Sequence, residues 1–180
     1  MINFFFYCRI NLMRDIRSDK MVRYMGIFFE GEDADFIKQM EFNPLEWTND
    51  LLHCTFKYKP NDEELFEECV GQEVEVYLIG YGCDGKNSGF EIAFDDSFDP
   101  YYINYDDKKV NEDGSPMLKP KHITVSLAKG AIPADTKDLD FVRLAKPILV
   151  KGRLGYWITE KNKESHVCYE RVLGDKKTLK

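Results

Sequence analysis

Two histidines in this sequence begin the same pattern of a histidine, an apolar residue, a threonine and a second apolar residue. The two segments are His53-Cys54-Thr55-Phe56 and His122-Ile123-Thr124-Val125. Because side chains alternate between the two faces of a β-strand, each histidine would share a face with its threonine, and the apolar residues would be buried opposite. Two such strands side by side would present two imidazoles and two hydroxyls to one pocket. These groups suit acid–base chemistry on a phosphodiester, because the pKa of histidine lies near neutral pH.

Further candidates for substrate contacts follow from the same alternation and from the positions of aromatic residues. Lys57 and Ser126 would lie on the same faces as the two histidines. Tyr24 lies on the first predicted strand, and Tyr156 and Trp157 lie near the C-terminal strands, where an aromatic ring could stack on a base. The competing interpretations are that Lys57 lies at the surface beyond the pocket and that the three aromatic residues have packing roles.

The elements that would position these residues are mostly short strands. Alternating or apolar runs predict strands at Val22–Phe29, Leu51–Tyr58, Glu73–Tyr81, Gly89–Asp95, Lys121–Leu127, Ile148–Ile158 and His166–Leu173. Capping residues and helical spacing predict short helices at Asp33–Glu41 and Asp62–Glu68, and the polar segment Asp95–Pro120 is predicted to be a loop. This order is typical of an α+β fold with mainly antiparallel sheet. The repeated histidine strand indicates a bilobal arrangement, with two related lobes facing each other.

Length and composition are typical of one globular domain. The chain has 180 residues, of which 43% are hydrophobic and 32% charged. Met21 directly precedes the first clear strand, so we predict an N-terminal extension over residues 1–20, either native or an upstream addition, and a single domain over residues 21–180. The five cysteines are odd in number and form no C-x-x-C pair, and no segment resembles a signal peptide or a membrane span. We therefore expect free thiols in a cytoplasmic protein.

The formal net charge of −7 disfavours binding of long nucleic acid through its phosphates, because such binding requires many lysines and arginines. A small nucleotide or the end of an RNA could still bind in a local basic pocket. We expect no DNA partner and no membrane partner, and no obligate protein partner is evident. No spacing typical of zinc ligands is present, so we expect no metal and no other cofactor.

The two motifs resemble those of the 2H phosphoesterase superfamily, whose signature is two His-x-Thr/Ser-x motifs on central strands of a bilobal α+β fold. The matching segments are Leu52-His53-Cys54-Thr55-Phe56 and Lys121-His122-Ile123-Thr124-Val125-Ser126, and the similarity in element order runs from about Val22 onward. The family includes RNA 2′,3′-cyclic phosphodiesterases, the cyclic phosphodiesterase part of fungal tRNA ligases, and phage enzymes that destroy cyclic oligonucleotide signals. Asp95–Pro120 departs from the family pattern, in which a helix often occupies this place.

The resemblance implies a metal-independent phosphodiesterase that acts on 2′,3′-cyclic phosphates of nucleotides or RNA ends. His53 and His122 would be the catalytic acid and base, in either order, and Thr55 and Thr124 would bind the phosphate oxygens. One alternative keeps this site and changes the substrate to a cyclic di- or oligonucleotide. The other is a non-catalytic module that binds nucleotides or RNA. Either histidine taken alone would be typical of a structural residue on a strand.

Overall fold

The computed structural model describes residues 20–173, so nearly all of the predicted extension over residues 1–20 lies outside the described residues. Within the described part, the strands are β1 Lys20–Phe29, β2 Trp47–Thr48, β3 Leu52–Tyr58, β4 Glu73–Cys83, β5 Asn87–Phe94, β6 Tyr105–Val110, β7 Pro116–Leu118, β8 His122–Leu127, β9 Val142–Glu160 and β10 Ser165–Cys168. The α-helix α1 spans Gly31–Gln39, and short 3-10 helices span Asp62–Glu64, Asp96–Tyr101 and Pro133–Asp138. No helix in this part of the chain has the length and apolar character needed to cross a membrane.

One large sheet carries both histidine motifs. Its strand order is β2-β8-β5-β4-β9-β1-β3, with β10 paired to β9, and every pair in it is antiparallel. Strands β6 and β7 form a separate two-stranded hairpin. The prediction of an α+β fold with mainly antiparallel sheet and short helices is therefore confirmed.

The sheet curves until its two histidine strands meet. In the strand order, β8 and β3 are separated by five steps, which in a flat sheet would place them about 24 Å apart. Instead β3 and β8 are in contact. The segment between β5 and β6 connects this region: the Ile103 amide donates to the carbonyl of Phe56 in β3 at 3.1 Å, and the Tyr102 hydroxyl donates to the carbonyl of Lys119, shortly before β8, at 3.0 Å.

Burial follows the predicted alternation on β3 and departs from it on β8. On β3, residues 52, 54 and 56 are buried, and residues 53, 55 and 57 are partly exposed. On β8, both the apolar Ile123 and Val125 and the polar Thr124 and Ser126 are buried. The polar face of β8 is covered because Thr124 bonds to Thr136 of a 3-10 helix and Ser126 bonds to the buried Glu41.

Two predicted elements are wrong in type. Segment Asp95–Pro120 is not a simple loop but contains a 3-10 helix and the β6–β7 hairpin. The sequence did not indicate strand β6, because five of its six residues are exposed and four are charged, so that no apolar alternation marks it. The helix predicted at Asp62–Glu68 is only a 3-10 turn over Asp62–Glu64, although its capping box is present. It ends because Leu65 is extended and enters the core.

Other boundaries are shifted by a few residues. Helix α1 begins at Gly31 rather than Asp33, and the Asp33 carboxylate accepts from the Lys151 amide at 2.8 Å instead of capping the helix. Strand β9 begins at Val142, and β10 ends at Cys168, before the predicted end at Leu173. The hairpin of β4 and β5 is confirmed. Cys54, Cys69, Cys83 and Cys168 are free thiols, and Cys8 lies outside the described residues.

A glycine at a β-bulge lies against each histidine strand. Gly26 of β1 pairs with Thr55, and Gly89 of β5 pairs with Thr124, each beside a shift in register. A Cβ atom on Gly26 would lie 2.0 Å from the carbonyl oxygen of Cys54, and one on Gly89 would lie 2.3 Å from that of Ile123. Both contacts are with rigid backbone, so neither position leaves room for a larger residue.

We expect Gly26→Ala to lower the free energy of unfolding by roughly 2–3 kcal/mol, because the added methyl must displace the backbone of β3. Urea unfolding would measure the loss. Gly85→Ala is the matched control: this glycine has a φ of +83° but nothing within 4 Å of a new Cβ atom. The control should lose only about 1–2 kcal/mol, from the left-handed backbone alone. A Gly26→Ala protein as stable as the wild type would contradict the close approach of the two strands.

Candidate active site

A cavity of about 560 Å³ lies where β3 and β8 meet, and we call it the histidine cavity. Its volume is in the range of small-molecule sites. It brings together six of the residues that sequence reasoning selected, namely Tyr24, His53, Thr55, Lys57, His122 and Thr124. The remaining described lining comes from Asn49, Tyr58, Ile103, Asn104, Tyr105, Asp107, Lys119, Pro133 and Ala134.

One hydrogen bond orients each imidazole. Nδ1 of His53 lies 2.9 Å from the carbonyl oxygen of Leu51, and Nδ1 of His122 lies 2.7 Å from that of Pro120. A carbonyl oxygen only accepts hydrogen bonds, so Nδ1 must carry the proton in both rings. The neutral imidazoles therefore have an unprotonated Nε2, which is the atom that can act as a base.

Burial also sets the protonation of the pair. It lowers the pKa of both His53 and His122 below the usual range, because a charged imidazolium loses hydration in the cavity. The proximity of His53 lowers the pKa of His122 further, since two positive charges repel each other. A proton on His53 thus disfavours a second proton on His122.

The strands that carry the two histidines are held in equivalent ways. Asn104 donates its side-chain amide to the carbonyl of Thr55 at 3.0 Å, and Asn49 donates to the carbonyl of Thr124 at 3.2 Å. Each motif threonine is also opposite a bulge glycine on the neighbouring strand. Both asparagines line the cavity, and neither was selected from the sequence.

The two motif threonines differ in their hydrogen bonds. The Thr55 side chain is partly exposed and makes no side-chain hydrogen bond within residues 20–173. Thr124 is buried, and its hydroxyl lies 2.9 Å from that of Thr136, which also accepts from the Asn87 amide at 3.0 Å. A ligand would therefore meet an available hydroxyl at Thr55 and would compete with an internal partner at Thr124.

Aromatic rings pack against the first histidine. Tyr24 stacks on His53 with ring centres 4.8 Å apart and an angle of 26°, and Phe28 lies at 5.8 Å. Burial raises the pKa of Tyr24 to about 12, so its phenol is neutral at physiological pH. This packing restricts rotation of the His53 ring and keeps its Nε2 atom aimed at a fixed place.

The β6–β7 hairpin that the sequence did not reveal forms one wall of the cavity. Tyr105 and Asp107 of β6 and Lys119 after β7 line it. An ion pair of 2.9 Å between Asp106 and Lys137 ties β6 to the 3-10 helix Pro133–Asp138, whose first residues also line the cavity. The ion pair thus connects two parts of the cavity wall.

Two cationic side chains reach the cavity. Lys57 was expected there, and its ammonium lies 3.5 Å from the carboxylate of Glu64. Lys119 was not selected from the sequence, because it lay in the supposed loop. Asp107 also lines the cavity and Glu64 is paired with Lys57, so the two lysines supply ammonium donors and no net positive charge.

Three predicted substrate contacts are not in the histidine cavity. Ser126 is fully buried, where its hydroxyl binds the Glu41 carboxylate and accepts from the Leu45 amide at 2.9 Å. Tyr156 is fully buried and stacks on Phe66 with ring centres 5.0 Å apart, so it is a core residue. Trp157 points to the opposite face of β9, as alternation requires, and lines a neighbouring pocket.

Comparison with known proteins adds no relative: no protein-family model matches the chain, and no curated protein matches it significantly. Within residues 20–173, no group of three or more histidine, cysteine, aspartate or glutamate side chains is arranged to hold a metal ion. The arrangement of the described residues is that of two oriented bases beside hydroxyl, amide and ammonium donors. Such a set can move protons to and from a bound anion.

The lowered pKa values predict a loss of stability in acid. Below about pH 6.5 an unfolded histidine binds a proton that the folded His53 and His122 resist, so the unfolded chain binds more protons. The free energy of unfolding should therefore fall as pH is lowered from about 7.5 to about 5.5. Urea unfolding across this range would measure it.

The double variant His53→Gln, His122→Gln should lose most of this dependence on pH. His166→Gln, which removes an exposed imidazole of β10 outside the cavity, should retain it. An unchanged slope in the double variant would mean that the two imidazoles of the histidine cavity titrate normally.

Proposed function

We propose that the protein is a phosphodiesterase of the 2H type, which hydrolyses 2′,3′-cyclic phosphates on nucleotides or RNA ends without a metal ion. The observation that carries this proposal is the pair of imidazoles in one cavity, each with Nδ1 bound to a backbone carbonyl and Nε2 left for chemistry. A histidine with a purely structural role does not require a second histidine in the same arrangement. The matching hydrogen bonds of His53 and His122 therefore favour a joint role.

The proposed reaction uses one imidazole as base and the other as acid, in either order. The base takes a proton from water through Nε2 as the water oxygen attacks phosphorus. The phosphorus–oxygen bond to one ribose oxygen breaks, and the imidazolium donates its proton to that oxygen. One water is consumed, the product is a phosphate monoester, and the two histidines end with exchanged protonation states. The repulsion between the rings disfavours the doubly protonated pair, which would contain no base.

Charge builds on the non-bridging phosphate oxygens in the transition state, and donors aimed at them lower the barrier. Thr55 supplies a hydroxyl that has no internal partner among the described residues, and Thr124 supplies one on the opposite strand. Lys57 and Lys119 add ammonium donors to the cavity lining. Charge-assisted bonds from such groups are about twice as strong as neutral ones.

The bilobal architecture belongs to the same proposal. We infer two related halves, one built on β1 and β3 and the other on β5 and β8. The supporting features recur in both halves: a bulge glycine opposite the threonine, an asparagine bound to the threonine carbonyl, and a histidine bound to the carbonyl two residues earlier.

The first test is turnover of a nucleoside 2′,3′-cyclic phosphate in the presence of EDTA. We expect the wild type to be active, and His53→Ala and His122→Ala each to lower kcat by roughly 100- to 10,000-fold, the usual contribution of a positioned acid or base. The double variant should be little worse than the worse single variant, because the two groups act as one unit. His166→Ala is the matched control and should retain full activity.

Two outcomes would redirect the proposal. Activity lost in EDTA and restored by Mn²⁺ or Zn²⁺ would overturn the metal-independent mechanism. A wild-type protein that binds the cyclic nucleotide without hydrolysing it would favour the binding module.

The threonines provide a second test. Thr55→Val should lower kcat by roughly 10- to 1,000-fold, the scale of losing one donor to the developing charge, with little change in stability. Thr124→Val should lower kcat and also cost about 1–2 kcal/mol of stability, because the Thr136 hydroxyl loses a buried hydrogen-bond partner.

Thr136→Val is the control for that difference. It removes the same internal hydrogen bond from a residue that does not line the cavity, so stability should fall while turnover is largely kept. If Thr136→Val reduced turnover as much as Thr124→Val, the effect of Thr124 would come from positioning and not from contact with phosphate.

A further inference from the structure

A second pocket adjoins the histidine cavity. It encloses about 520 Å³ beside β1, β9 and the turn before β10, and we call it the tryptophan pocket after Trp157 in its lining. Tyr24 and Tyr58 line both this pocket and the histidine cavity. A ligand could therefore extend from one into the other without leaving the protein surface.

A row of nearly parallel aromatic rings lines the tryptophan pocket, and two of them, Tyr24 and Tyr58, also line the histidine cavity. Trp157 lies 6.1 Å from Tyr24 at an angle of 17°, and Tyr58 lies 6.5 Å from Tyr24 at an angle of 16°. The Tyr58 side chain is 59% exposed, so much of its surface is open to a ligand. Exposed aromatic faces of this kind bind nucleic-acid bases by stacking, and do so with little regard for base identity.

The pocket also carries positive charge. Arg23 donates Nε to the Thr159 hydroxyl at 3.0 Å, which holds its guanidinium head in place, and Lys163 lies across the pocket in the turn between β9 and β10. Among the described lining residues there are these two cations and no carboxylate. A fixed guanidinium and an ammonium beside aromatic rings match a phosphate next to a base.

We propose that the tryptophan pocket binds a second nucleotide of the substrate, so that the substrate is an oligonucleotide and not a mononucleotide. The inference rests on the proposed function, because it assumes that the histidine cavity holds the phosphate that is cut. The base of the second nucleotide stacks on Trp157, and its phosphate lies against Arg23 and Lys163. A linear RNA end and a cyclic oligonucleotide both present this chemistry.

Lys163 allows a clean test because its backbone has a φ of +71°. Glycine adopts this conformation without strain, so Lys163→Gly removes the ammonium at no cost to the turn. Trp157→Leu removes the stacking ring and keeps an apolar residue on β9. Lys129→Gly makes the same change of charge in an exposed turn after β8, outside both pockets, and serves as the control.

The measurement is the ratio of kcat/KM for a linear dinucleotide ending in a 2′,3′-cyclic phosphate to kcat/KM for the corresponding cyclic mononucleotide. We expect this ratio to be roughly 5- to 100-fold in the wild type, the range that one stacked base supplies. It should approach one in Trp157→Leu, fall severalfold in Lys163→Gly and stay unchanged in Lys129→Gly. A cyclic dinucleotide, assayed in parallel, distinguishes the two kinds of substrate. Turnover faster than that of the linear dinucleotide would identify cyclic oligonucleotides as the substrate, and slower turnover would identify RNA ends.

A wild-type ratio near one, or equal ratios in all variants, would overturn the second-nucleotide site and leave the proposed function standing. If the wild type turns over none of the three substrates, the proposed function fails. Fluorescence anisotropy with a labelled dinucleotide 3′-phosphate then tests binding in the tryptophan pocket independently of turnover. Weaker binding by Trp157→Leu and Lys163→Gly than by Lys129→Gly would support the pocket, and equal binding would reject it.

Discussion

The arrangement of the site depends on one hydrogen bond made twice, from Nδ1 of an imidazole to the backbone carbonyl two residues before it. At His53 the acceptor is Leu51, and at His122 it is Pro120. The bond assigns the proton of each neutral ring to Nδ1 and thereby leaves Nε2 as the reactive atom. The acceptor is a backbone carbonyl just before the strand. The position at which each strand begins therefore sets the orientation of its imidazole. Stacking on Tyr24 gives His53 a second restraint.

These two local arrangements make one site only because the sheet brings its distant strands together. The glycines at the bulges permit a neighbouring strand to approach the backbone of each histidine strand, and the asparagines bind the threonine carbonyls from the other side. Each histidine strand is thus held from both edges. The core beneath is formed by the alternate apolar residues, such as Phe56 and Ile123. The two strands that position the histidines therefore also contribute residues to the hydrophobic core.

Site residues could be predicted from the sequence where polar and apolar side chains alternate along a strand, and could not be predicted where this alternation is absent. His53 and Thr55 could be placed because β3 has one buried and one open face. Ser126 could not, because the buried Glu41 that binds it comes from a distant part of the chain. Asn49 and Asn104 act through side-chain bonds to backbone, and Lys119 follows a hairpin that has no apolar pattern. Such contacts depend on tertiary structure and leave no local signal.

The central claim is that both Nε2 atoms act on one phosphate. A crystal structure of the protein with a nucleoside 3′-monophosphate, the product analogue, would test it most directly. We predict a phosphate in the histidine cavity with Nε2 of both His53 and His122 about 2.6–3.2 Å from its oxygens, while both Nδ1 atoms keep their carbonyl partners. A phosphate that contacts only one imidazole, or that binds outside the cavity, would contradict it.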